Sequence, residues 1–147
     1  MTRLRTLVMV AVLALLPVAP LCAQGNRWER QVREQLQRAA ATLQTGRAGP
    51  AQQTRTGTLN VEESESFAVT LQAGVSYEIV GVCDNDCTSL GLTLATMSNN
   101  DIASDRSSEN FPVLHVTPRT TMAYRIKVVM AACQMSPCWY GVGVYRR

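Results

Sequence analysis

Five cysteines, one histidine and two clusters of acidic turn residues are the groups in this 147-residue chain best suited to chemistry. Cys83 and Cys87 flank Asp84-Asn85-Asp86, and Cys133 and Cys138 flank Gln134-Met135-Ser136-Pro137. Spacings of this kind suit either a four-thiolate zinc site or two disulfides. Compartment separates the two, because thiols in an oxidising space pair before they can serve as ligands. Four cysteines permit three pairings. Cys83–Cys87 with Cys133–Cys138 is the expected one, because Asn, Asp, Ser and Pro reverse the chain readily between the members of each pair. Loops this short constrain the unfolded chain little, so each bridge is worth at most about 2–3 kcal/mol.

The first residues specify the compartment. Arg3 and Arg5 precede an apolar run from Leu7 through Val18, interrupted at Pro17 and Pro20, and Leu21-Cys22-Ala23 precedes Gln24. A basic start, an apolar stretch and a small residue at the cut make residues 1–23 a signal peptide. The run is too short for a span of about 20 residues, and Leu21 stands where lipid attachment to Cys22 would need a small side chain. Cleavage after Ala23 removes Cys22 and leaves the even set of four cysteines. The expected product is periplasmic or secreted, with no membrane span.

Calcium takes six to eight oxygens, and two adjacent loops carrying Asp84, Asp86, Asp101 and Asp105, with Asn85, Asn99 and Asn100, could supply them. The same residues also fill turns for local reasons, and no EF-hand spacing occurs. Calcium is therefore the one cofactor these turns could take, and none is expected. Hydrolytic catalysis is poorly served: His115 is the single histidine, no G-x-S-x-G elbow accompanies it, and the thiols are expected to be oxidised. No Gly-rich phosphate loop is present. With Lys127 as the only lysine and an acidic C-terminal portion, nucleic acid is not an expected partner.

These groups need elements to position them. From residue 27 to 44, Trp28, Val32, Leu36, Ala39, Ala40 and Leu43 recur at three- and four-residue steps, the stripe of an amphipathic helix. Asn26 is its expected N-cap with Glu29 completing a capping box, and Gly46 its stop. Residues 45–56 read as a flexible linker, so 24–56 forms a helix-plus-linker unit. It carries Arg27, Arg30, Arg33, Arg38, Arg47 and Arg55 against Glu29 and Glu34, a net +4, whereas residues 57–147 are net −3. Such a split favours self-association or an acidic partner.

After Gly57 the apolar period changes to two. Phe67, Val69 and Leu71 alternate with polar neighbours; Tyr77, Ile79 and Gly81 alternate against Glu78, Val80 and Val82; Leu90, Leu92 and Leu94 follow, then Met122, Tyr124, Ile126, Val128 and Met130 with Arg125 and Lys127 between them, and a last run from Trp139 to Tyr145. Adding Gly57–Val61 and Val113–Val116 gives seven or eight short strands separated by Gly, Asn, Asp and Pro. That is the pattern of an antiparallel β-sandwich over residues 57–147. Trp139 and Tyr140, adjacent on a strand, must face opposite sides.

Ser66 to Tyr77, in which a strand ends in Leu71-Gln72-Ala73-Gly74 and the next opens on an aromatic, resembles the early strand pair of bacterial pre-peptidase C-terminal domains. Val113 to Val128, with Thr117-Pro118 leading into Tyr124-Arg125-Ile126-Lys127-Val128, is similar to that family's late pair. The resemblance spans about residues 57–147. It implies a small jelly-roll-like sandwich of the kind appended to secreted peptidases, some of which bind calcium or matrix polymers. Here no peptidase is attached, Thr121-Met122-Ala123 replaces the usual Gly, and the cysteine pairs suggest a standalone branch.

The expected protein is thus mainly β, a jelly-roll-like sandwich preceded by one amphipathic helix. Its expected role is that of a non-catalytic interaction module for an envelope or extracellular protein or glycan. Trp28, Val32, Leu36 and Leu43 would be the docking or self-association stripe. The alternatives are a calcium- or glycan-binding domain using the acidic turns, and an enzyme or enzyme inhibitor.

Overall fold

A computed structural model of the chain describes residues 23–44, 51–107 and 109–147, with side chains from 27 to 42 in the helix. The expected signal peptide (apart from Ala23), Gly46 as helix stop, residues 45–50 of the expected linker and the side chain of Leu43 lie outside the described residues. The described elements are one helix, α1 (Ala23–Gln44), and eight strands. The strands are β1 (Gln53–Leu59), β2 (Ser64–Leu71), β3 (Tyr77–Cys83), β4 (Cys87–Thr96), β5 (Asp101–Asp105), β6 (Val113–Val116), β7 (Met122–Cys133) and β8 (Cys138–Arg146).

Two four-stranded sheets form, in the orders β1-β8-β3-β6 and β2-β7-β4-β5, and every pairing is antiparallel. Successive strands cross repeatedly between the sheets, which is the eight-stranded jelly-roll arrangement. Between the sheets lies a core that includes Leu71, Ile79, Leu90, Leu92, Leu94, Ile126, Val128, Met130 and Tyr140, all fully buried. These are the period-two positions, each strand giving one face to the interior.

The first sheet departs from that simple alternation. Every residue of β3 is buried, and β8 is buried from Tyr140 through Tyr145. Its outer face carries Val80, Val82 and Tyr145, and α1 covers them with Val32 and Leu36, forming a second apolar cluster joined by Ala39, Ala40, Val113 and Trp139. The molecule is therefore three layers, helix on sheet on sheet. Each fully buried aliphatic side chain in the outer cluster contributes about 1.5–3 kcal/mol.

Close approach of the helix depends on Gly141, which lies on the outer face of β8. A Cβ there would stand 2.6 Å from Cγ1 of Val32 and 2.9 Å from Cδ1 of Leu36. Polar contacts fix the register of helix on sheet. The Tyr145 hydroxyl donates to the Leu36 carbonyl at 3.1 Å, Gln35 Nε2 donates to the Cys83 carbonyl at 3.0 Å, and Gln31 Nε2 donates to Asn85.

One edge of the sandwich is closed by charge. Glu65 of β2 accepts hydrogen bonds from Arg55 of β1, and from the Tyr140 hydroxyl of β8 at 2.7 Å. The Tyr140 bond, and after it Arg55, hold the Glu65 carboxyl below the usual range, while burial opposes them. Burial, with Glu65, raises Tyr140 well above the ordinary phenol value.

Three expectations need correction. Asn26 lies inside α1 and is no N-cap, because the helix begins at Ala23. The expected linker is shorter at its C-terminal end: β1 starts at Gln53, where Gln53 to Thr56 pair with Gly141 to Val144 of β8. Asp101–Asp105 is a strand and not part of a turn. Ala103 reaches the core, and charged ends are tolerated because β5 is an edge.

Gly141→Ala is expected to lower stability by about 1–3 kcal/mol in urea unfolding, since the new methyl overlaps Val32 and Leu36. Unchanged stability would mean that the helix is not seated as described. For Glu65 the sign is fixed by its lowered folded pKa: its stabilisation is present above the unfolded carboxyl value and is lost as pH falls through the folded one. Glu65→Gln should accordingly be less stable than the parent near neutrality and converge with it in acid. A gap that stays constant from neutral to acid pH would contradict the Glu65 assignment.

Candidate functional site

The disulfides form as expected from the turn residues, Cys83–Cys87 and Cys133–Cys138, with Cα separations of 5.9 and 6.0 Å. Asp84 locks this end of the molecule. Its Oδ1 accepts from the amides of Asp86 and Cys87, both at 3.2 Å, and its Oδ2 from that of Trp139 at 2.6 Å. Burial raises the Asp84 carboxyl above its ordinary value, against the downward pull of those three amides. Asp84 is thus a structural acceptor that joins the β3–β4 turn to the start of β8.

That geometry bears on the expected calcium set. Asp101 lies opposite Ala95 and Asp105 opposite Leu92, eight and five residues along β4 from Cys87. At 3.3 Å per residue these are roughly 26 and 16 Å from the Asp84–Asp86 turn. The two loops are not adjacent, because the turns before and after β4 fall at its opposite ends. Asp105 accepts from the amides of Val113, at 3.0 Å, and Ser107, at 3.1 Å, bonds that lower its pKa. Asp101 lies exposed, 3.6 Å from Arg106. Among the described residues no group of three or more His, Cys, Asp or Glu side chains is placed to hold a metal ion.

The helical stripe is also redistributed. Val32 and Leu36 are spent on the first sheet, and Trp28 is half-buried beneath the Arg27 guanidinium, 5.3 Å from its ring. The stripe is no free docking surface, because the outer face of β3 and β8 is apolar and needs the same cover. Trp139 and Tyr140 do face opposite sides, Tyr140 into the core and Trp139 toward the helix layer.

The helix leaves uncovered a groove that sequence reasoning missed. The groove, about 410 Å³, runs between the C-terminal half of α1 and the β3 side of the sheet. Ala39, Val80 and Phe111 form its apolar walls, and Gln35, Arg38, Thr42 and Glu78 its polar ones. Phe111 is 45% exposed, an unusual position for a large ring. Glu78 is buried, with Arg147 Nε at 3.4 Å and His115 Nδ1 at 3.6 Å from its Oε2. Its charge is thereby met from the far side. Arg38, by contrast, has no side-chain partner among the described residues. Phe111 sits outside every alternating run, so only its isolation in Asn110-Phe111-Pro112 could have flagged it.

His115 sits on the edge strand β6 and is exposed. Ser76 lines the same small hollow, but its hydroxyl is bonded to that of Thr117 at 2.9 Å and not to the imidazole. The arrangement offers no activated nucleophile. Among the described residues, no helix is long and apolar enough to cross a membrane.

No family model matches the chain, and no curated protein matches it. Solved structures do. One is the crystal structure of PliG from Aeromonas hydrophila, a periplasmic lysozyme inhibitor of g-type lysozyme. It is 11% identical, with 67% of this chain and 89% of that one covered, at a TM-score of 0.49. A likeness at this level carries nothing about activity.

Proposed function

We propose that the protein is an exported, non-catalytic binding module of the bacterial envelope or exterior, and that its ligand lies in the groove beside α1. The groove itself is the observation that carries this reading. Binding pockets are typically about 300–1,000 Å³, mostly apolar, with a few polar groups that orient the ligand. The walls formed by Ala39, Val80 and Phe111 suit an apolar body, and the unpartnered Arg38 suits an acidic head. Export is supported by the N-terminal pattern and by the two disulfides. The likeness of residues 57–147 to pre-peptidase C-terminal domains belongs to the same proposal and rests on the residues quoted for it.

A second reading, inhibition of an enzyme, is favoured by Met135. It is 72% exposed at the tip of the loop closed by Cys133–Cys138, while the Val61 amide, on an exposed residue, donates to Ser136 of that loop. A pinned apolar tip suits insertion into a partner's cleft, because little conformational freedom is lost on binding. Lysozyme of the g type is the first enzyme to assay; inhibition abolished by Met135→Asp would favour this reading over the groove.

For the groove, the probe is 1-anilinonaphthalene-8-sulfonate, an apolar ring system with an anionic head, titrated into residues 24–147. One saturable site is expected. Phe111→Ala and Arg38→Glu should each weaken it by about three- to tenfold with the melting temperature unchanged, as loss of one apolar wall or one ion contact implies. Saturable binding untouched by either substitution, or no binding, would sink the groove reading.

A further inference from the structure

Among the described residues no helix covers the outer face of the second sheet, where that of the first wears α1. On it lies a trough of about 250 Å³, lined by Ser89, Gly91, Thr93, Arg106, Ser107 and Lys127 among others. Its floor is β4. Lys127 of β7 pairs with Thr93, and Arg106 follows directly on Asp105, the β5 residue opposite Leu92. The two cations therefore rise from the strands on either side of β4. With neighbouring strands about 4.8 Å apart and a two-residue offset along them, their backbones stand roughly 12 Å from each other, a span that long side chains can close over one oxyanion.

Gly91 keeps the floor open. A Cβ at this position would meet nothing nearer than 3.8 Å. Glycine is thus not demanded by packing, unlike Gly141. The lining holds no aromatic ring, and Ser89 and Thr93 present hydroxyls. Arg106 donates to Thr93 Oγ1 at 3.4 Å and lies 3.6 Å from Asp101. Both members of that ion pair are well exposed, so it is worth at most about 1 kcal/mol and yields readily to a ligand. Lys127 has no side-chain partner among the described residues. The nearby Asp105 carboxylate is engaged by the Val113 and Ser107 amides. Counting Arg106, Lys127 and Asp101, the site is about +1, a match for a single carboxylate rather than a dianionic phosphate.

We propose that this trough binds an acidic sugar of the uronate class, its carboxylate clasped between Arg106 and Lys127 above Gly91 and its hydroxyls bonded to the Ser and Thr floor. The site is separate from the groove beside α1, so either can fail without the other.

The test is calorimetric titration of the full chain at low salt with tetragalacturonate, maltotetraose and tetraglutamate. Tetragalacturonate should bind. Lys127→Glu and Gly91→Leu should each weaken it by about tenfold or more, the scale of losing a charge-assisted contact or filling the site. Gly91→Leu should retain the parent melting temperature. Arg30→Gln, which removes one charge from the helix on the opposite side, should leave affinity within about twofold because salt screens distant charges. The proposal is overturned if tetragalacturonate does not bind or if maltotetraose binds equally, which would remove the carboxylate. Equal binding of tetraglutamate would remove the sugar. Binding insensitive to Gly91→Leu, or as sensitive to Arg30→Gln as to Lys127→Glu, would remove the trough.

Discussion

A sheet that is apolar on both faces cannot stand as one wall of a two-layer sandwich, and this constraint organises the molecule. Val80, Val82 and Tyr145 point away from the inter-sheet core, and water would meet them without α1. Covering them consumes Val32 and Leu36, and it requires that β8 carry no side chain at Gly141. Most of the stability of an amphipathic helix in a protein comes from packing its apolar face, so the order of α1 derives from the sheet it covers. Helix and sheet each answer an apolar surface on the other.

The groove exists because that cover is incomplete. α1 lies over β8 and β3, and beside the buried Val80 a groove stays open, flanked by the half-exposed ring of Phe111. Glu78 is buried there and balanced by Arg147 from the C-terminal end, with the His115 ring of the edge strand 3.6 Å away. The feature most like a binding site is thus the open margin of the contact between the helix and the sheet it covers.

The sheets were legible in sequence because period-two alternation reports directly on a half-buried face. Phe67-Val69-Leu71 and Tyr124-Ile126-Val128 show it plainly. β5 was not legible: an edge strand with Ala103 as its inward residue has almost no apolar signal. The cysteine pairing could be read from turn chemistry, because each pair is local. The aspartates could not be placed, since whether two loops meet depends on which end of β4 each occupies, and composition is silent on that. The helical stripe was visible, but its occupant was not. The telling sign lay in β3 and β8, where Val80, Val82 and Tyr145 interrupt the expected polar alternation, and in Gly141, whose missing side chain is meaningful only beside Val32. Phe111 and the trough residues lacked any local signature, being assembled from strands distant in sequence.

The helix layer also gives the molecule a front and a back. The N-terminal segment runs across the first sheet, and the second sheet turns its small-residue face, with Gly91 and Thr93 at the centre, the other way.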